Sequence, residues 1–81
     1  MSKNEKLINR MTSNPTPRDA TESEIIKYLN IYNFVLYRVK GSHKIFYNSE
    51  WNELFVLPIH NGKVKYKYID ILNEVIKRHA R

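Results

Sequence analysis

Only Gly41 and Ser42 separate the run Phe34-Val35-Leu36-Tyr37-Arg38-Val39-Lys40 from the run His43-Lys44-Ile45-Phe46-Tyr47-Asn48. Both runs are rich in β-branched and aromatic side chains and read as strands. A connection this short leaves neighbouring strands only antiparallel pairing, and glycine at its first central position suits a type II′ turn. A third run, Glu53 to Ile59, follows the Asn48 to Asn52 connection. The centre of the chain is therefore predicted to be a three-stranded antiparallel meander.

Closing the hairpin at Gly41-Ser42 sets Lys40 opposite His43, Arg38 opposite Ile45 and Leu36 opposite Tyr47. Alternation along a strand then puts Arg38, Lys40 and His43 on one face, and Val35, Tyr37, Val39 and Phe46 on the other. The second face is apolar and is expected to lie under helices. On the third strand the same bookkeeping turns Phe55, Leu57 and Ile59 toward the helices, leaving Leu54, Val56, Pro58 and His60 open. The open face thus joins a basic, histidine-bearing end to an apolar middle of Leu36, Ile45, Leu54 and Val56, the kind of patch that marks a binding surface.

Helices flank this meander. Ser2-Lys3-Asn4-Glu5 and Thr21-Glu22-Ser23-Glu24 both have capping-box spacing. The first predicts a helix from about Ser2 to Met11 or Thr12, docked or floating, followed by a stiff linker over Ser13 to Ala20 with prolines at 15 and 17. The second predicts a helix that stops near Asn30 to Asn33. After the Asn61-Gly62 turn, Tyr68, Ile69, Leu72, Val75 and Ile76 form one helical stripe. The expected organisation is residues 1–20 as N-terminal helix and linker, and 21–81 as an α+β domain with helices packed on one face of the sheet.

Fourteen Lys and Arg against eight Asp and Glu give a net charge of +6. That excess favours a polyanionic partner, nucleic acid or an acidic protein, and the ten aromatic rings add stacking surfaces for bases. The absence of cysteine suits a reducing cytoplasm. No apolar run approaches the roughly 20 residues that span a bilayer, so a soluble protein with no membrane partner is expected.

Histidine titrates near neutrality, and His43 in its cationic turn can serve as general acid or base on a phosphodiester. Arg38, Lys40 and Lys44 can hold the phosphate, with the Gly41-Ser42 backbone close by. A histidine beside a hairpin is also commonly a plain surface residue. His60 is a candidate second proton carrier or merely the end of a strand, and His79 is assigned no function. Carboxylates do not cluster with the histidines at ligand spacing, so neither metal nor another cofactor is expected. Lys63-Val64-Lys65-Tyr66-Lys67-Tyr68 alternates cations with apolar side chains, which suits an RNA backbone through Lys63 and Lys65 and equally suits a solvated edge.

The run Phe34-x-x-x-Arg38-x-x-Gly41-Ser42-His43-Lys44-Ile45-Phe46, together with Leu57-Pro58-Ile59-His60-Asn61-Gly62-Lys63 and the closing helix, resembles the HicA toxins of bacterial toxin–antitoxin systems. The resemblance runs from about Thr21 to Arg78. It implies a double-stranded-RNA-binding-like αβββα fold and a metal-independent endoribonuclease acting on single-stranded mRNA. It further implies a catalytic His43 and neutralisation by a HicB-type antitoxin. Asn33 stands where the family has glycine, Val64 to Lys67 replace the small residues common before the last helix, and the N-terminal helix lies outside the minimal family domain. A non-catalytic RNA-binding module and a protein-interaction domain are the alternative readings.

Overall fold

The computed structural model describes residues 2–79. Helix α1 spans Lys3–Met11 and begins on Ser2, whose Oγ accepts the Glu5 N–H at 3.1 Å. Helix α2 spans Glu22–Ile31 behind a complete capping box. The Thr21 hydroxyl accepts the Glu24 N–H at 3.2 Å, and the Glu24 carboxylate accepts the Thr21 N–H at 3.1 Å. A cap of this kind contributes about 1 kcal/mol.

The far end of α2 closes as a Schellman motif. Asn33 takes φ 68°, its N–H reaches Asn30 O at 3.1 Å, and the Phe34 N–H reaches Leu29 O at 3.0 Å. Asn33 thus supplies the left-handed conformation that glycine usually provides. Leu29 and Phe34, both fully buried, make the apolar contact that accompanies the motif and aim the chain into the sheet.

Three strands follow, β1 (Val35–Lys40), β2 (His43–Asn48) and β3 (Glu53–Pro58), and then helix α3 (Tyr66–His79). The sheet is antiparallel in the order β1-β2-β3, giving an α+β fold whose layout is compatible with the double-stranded-RNA-binding type. Phe46, Phe55 and Leu57 face the helices and meet Tyr28, Leu29, Ile69 and Leu72 in one core. Asn48 is fully buried and satisfied: its amide donates to Tyr32 O at 2.7 Å and its side-chain oxygen accepts the Trp51 N–H at 2.9 Å. Trp51 lies between Tyr32, Phe34 and His79, at the rim of the core.

One part of the expected register is corrected. Lys40 pairs with His43 and Arg38 with Ile45, but Leu36 pairs with Phe46 and Val35 with Tyr47. The irregularity falls between Leu36 and Arg38, where Tyr37 is the extra residue of a β-bulge. Beyond the bulge the faces exchange. Tyr37 packs beside Tyr47, ring centroids 6.2 Å apart, on the open side where the expectation had Leu36. Val35, Tyr37 and Val39 are not a helix-covered row: all three are exposed, because the helices cover β2 and β3 and leave the β1 edge bare.

The first helix docks. Arg10 reaches Glu24 through Nε at 2.8 Å and Asp19 through Nη2 at 3.0 Å. Its guanidinium holds both carboxyls below their ordinary range, with the Thr21 N–H adding to the effect on Glu24. Tyr28 donates to Asn73 Oδ1 at 2.6 Å, and the Asn73 amide donates to Met11 O at 2.9 Å, so one polar chain links all three helices. Burial pushes the Tyr28 phenol up, keeping it protonated as the donor. Met11 is fully buried. Met11→Ala is expected to destabilise the protein by about 2–5 kcal/mol in urea unfolding, as for a core truncation. A loss under about 0.5 kcal/mol, the surface level, would contradict the docking of α1.

Candidate nucleic-acid interface

The tip of the β1–β2 hairpin is set by Gly41 at φ 60°. Ser42 has no such left-handed φ, so the turn has positive φ only at its first central position, as type II′ requires. The rungs from this tip run Lys40–His43–Pro58, then Val39–Lys44–Leu57, then Arg38–Ile45–Val56. Paired residues share a face, and Leu57 is in the core, so the first and third rungs face away from the helices. Arg38, Lys40 and His43 therefore stand together on the open face, all exposed. Among the described residues no side chain is assigned to the His43 imidazole as a hydrogen-bond partner, leaving both ring nitrogens open to a ligand.

Lys44 is not part of this group. It belongs to the rung that faces inward, and its ammonium is paired with Glu22 at the start of α2. Alternation next to His43 already implied that placement.

His60 reaches the region by another route. The Ile59 N–H donates to Ser42 O at 2.9 Å, which ties the end of β3 to the hairpin tip. His60 and Lys63 then exchange backbone hydrogen bonds of 3.1 and 3.0 Å around Asn61 and Gly62, both left-handed at φ 54° and 72°. This small loop is fixed to α2 by the Glu22 N–H donating to Gly62 O at 3.2 Å and by a bridge between Thr21 and Lys63. His60, Lys63 and Lys65 are all exposed. Lys63 and Lys65 line a groove beyond His60 rather than the rung that carries His43.

Farther from the tip the open face is aromatic and apolar. Tyr37, Tyr47, Asn52 and Leu54 surround a shallow hollow, with the Tyr47 hydroxyl donating to Asn52 Oδ1 at 3.0 Å. Val56 and Val35 flank it, both exposed. Such rings can stack bases. The sequence reading did not assign Tyr37 or Tyr47 to the site; the pairing of Tyr47 with an open-face residue was the available signal, whereas the bulge that brings Tyr37 over had none.

No family model, curated protein or solved structure matches this chain. Cations and an accessible imidazole at one end of a face, with aromatic rings at the other, can take an anionic backbone and its bases together. Among the described residues no group of three or more His, Cys, Asp or Glu is placed to hold a metal ion, and no helix is long and apolar enough to cross a membrane.

The hairpin tip depends on one backbone conformation. A Cβ at Gly41 would meet nothing within 4 Å, so the cost of Gly41→Ala is that of a left-handed φ, about 1–2 kcal/mol. Thermal unfolding should register that loss for Gly41→Ala and almost none for Ser42→Ala. Equal stability of the two variants would contradict the turn.

Proposed function

We propose that this chain is a metal-independent endoribonuclease that cleaves single-stranded mRNA, a toxin of the HicA kind held in check by a HicB-type antitoxin in the cytoplasm. The observation that carries the reading is the Lys40–His43 rung, with Arg38 on the next open-face rung. It sets an exposed imidazole among cations where a phosphodiester can lie against the sheet.

In this mechanism His43 accepts the proton of a ribose 2′-hydroxyl. The oxygen attacks the adjacent phosphorus, the bond from phosphorus to the 5′-oxygen breaks, and that oxygen takes a proton from His60 or from water. The products are a 2′,3′-cyclic phosphate and a 5′-hydroxyl. Lys40 and Arg38 stabilise the charge that builds on the non-bridging oxygens. Lys44 acts at one remove, through its pairing with Glu22 beneath the strand. Tyr37 and Tyr47 give neighbouring bases a surface, while exposed Val35, Leu54 and Val56 offer apolar area that a partner protein such as the antitoxin can cover.

A non-catalytic RNA-binding module is the second reading. It is favoured by one feature: among the described residues no carboxylate is bonded to the His43 ring to orient it, a support that activated histidines commonly have.

Purified protein incubated with RNA in chelator distinguishes them. The proposal expects cleavage by the parent, a fall of about 10²–10⁴-fold for His43→Ala, and retained RNA binding by that variant. Equal cleavage by both would remove His43 from the chemistry. Binding without cleavage by either would establish the second reading.

A further inference from the structure

We infer that Arg18, in the linker between α1 and α2, contacts a phosphate of the same RNA, in a groove that carries the single strand onward from the hairpin tip. The inference rests on the RNA reading above and extends it to the N-terminal segment, which that reading leaves without a role.

The groove is lined by Arg18, His60, Lys63, Lys65, Tyr66 and Lys67, over Val64. None of these is acidic. Arg10 and Lys44, by contrast, are balanced at short range: Arg10 faces Glu24 and Asp19, and Lys44 faces Glu22. Here no ion pair offsets them among the described residues. An uncompensated line of positive side chains draws a polyanion and releases its counterions.

Arg18 is held in place rather than carried on a loose tail. Its guanidinium carbon lies 4.3 Å from the centroid of the Tyr66 ring, a cation–π contact that restrains the side chain at an exposed position. The linker is anchored on both sides of it, by the Thr16 hydroxyl donating to Asp70 and by Asp19 on Arg10, and Ala20 is buried.

Continuity identifies the occupant. His60 follows Ile59, whose N–H is bonded to Ser42 at the hairpin tip, and His60 is itself bonded to Lys63. The backbone thus joins the tip that carries Lys40 and His43 to His60, which lines the groove with Lys63, Arg18 and Lys67. Four cations with the Tyr66 ring among them and no acidic side chain in the lining fit a repeating phosphodiester and its bases.

The test measures binding of a short labelled single-stranded RNA of mixed sequence across a salt series. It uses the full chain carrying His43→Ala so that the RNA stays intact. Adding Arg18→Ala should lower the slope of log affinity against log salt by about 0.7 and weaken binding roughly fivefold at about 0.1 M salt. Arg18→Lys should restore most of the slope. Lys77→Ala, which removes the same charge from the exposed last turn of α3, should leave it unchanged. Equal slopes for the Arg18→Ala and Lys77→Ala proteins overturn the contact while the nuclease reading stands. Absence of RNA binding by any of the proteins overturns both. Arg18-dependent binding of polyglutamate with no RNA shift gives the groove to an acidic protein instead.

Discussion

Gly41 closes the hairpin in a left-handed conformation, and the register it sets decides which side chains of the sheet meet solvent and which meet the helices. With Lys40 opposite His43, the outward rungs near the tip carry Arg38, Lys40, His43 and Ile45. The inward positions of β2 carry Lys44, Phe46 and Asn48. A slip of one residue would exchange these sets, burying His43 and stranding Phe46 in water. The fully buried Phe34, Phe46 and Leu57 give the inward register its apolar weight, and the ion pair of Lys44 with Glu22 gives it a polar anchor.

The bulge at Tyr37 and the exposed β1 edge follow from the same sheet. Helices cover β2 and β3 only, so β1 has no core to satisfy and can accommodate an extra residue. What the bulge costs in pairing it returns in surface, since Tyr37 joins Tyr47 and Leu54 on the open face. On the opposite side of the molecule the Tyr28–Asn73–Met11 chain and the Arg10 bridges fasten α1 and the linker to the domain. That fastening is also what positions Arg18 beside Tyr66. Under the proposed Arg18 contact, stability and recognition therefore share the N-terminal segment.

Much of this fold was legible in local sequence chemistry. The Thr21–Glu24 capping box, the Ser2 cap of α1, the left-handed Asn33, the strand β2 and the Gly41-Ser42 turn are signalled within a few residues, and the structure forms each of them. At α1, however, the Glu5 side chain does not return the bond to Ser2 that a full box requires. The rungs next to the turn followed from its length alone. Beyond Arg38 the reading failed because nothing in Leu36-Tyr37-Arg38 announces a bulge, and period-two counting has no way to insert a residue. Whether α1 docks or floats was likewise open, since it depends on Arg10 meeting Glu24 and Asp19 and on Asn73 meeting Met11, contacts that only the fold brings together. In the candidate site, His43 with Arg38 and Lys40 emerged from the register. The separation of Lys44 was implicit in the same alternation, and Arg18 gave no signal because its partners lie far along the chain.

In the proposed function an imidazole acts on a 2′-hydroxyl, and that chemistry leaves a signature in the ends of its products. The most direct measurement is the identity of the termini on RNA fragments produced by the purified protein in chelator. A 2′,3′-cyclic phosphate with a 5′-hydroxyl is the predicted outcome. Fragments ending in a 3′-hydroxyl and a 5′-phosphate would mean that water, not the ribose oxygen, attacks phosphorus, and would contradict the role given to His43.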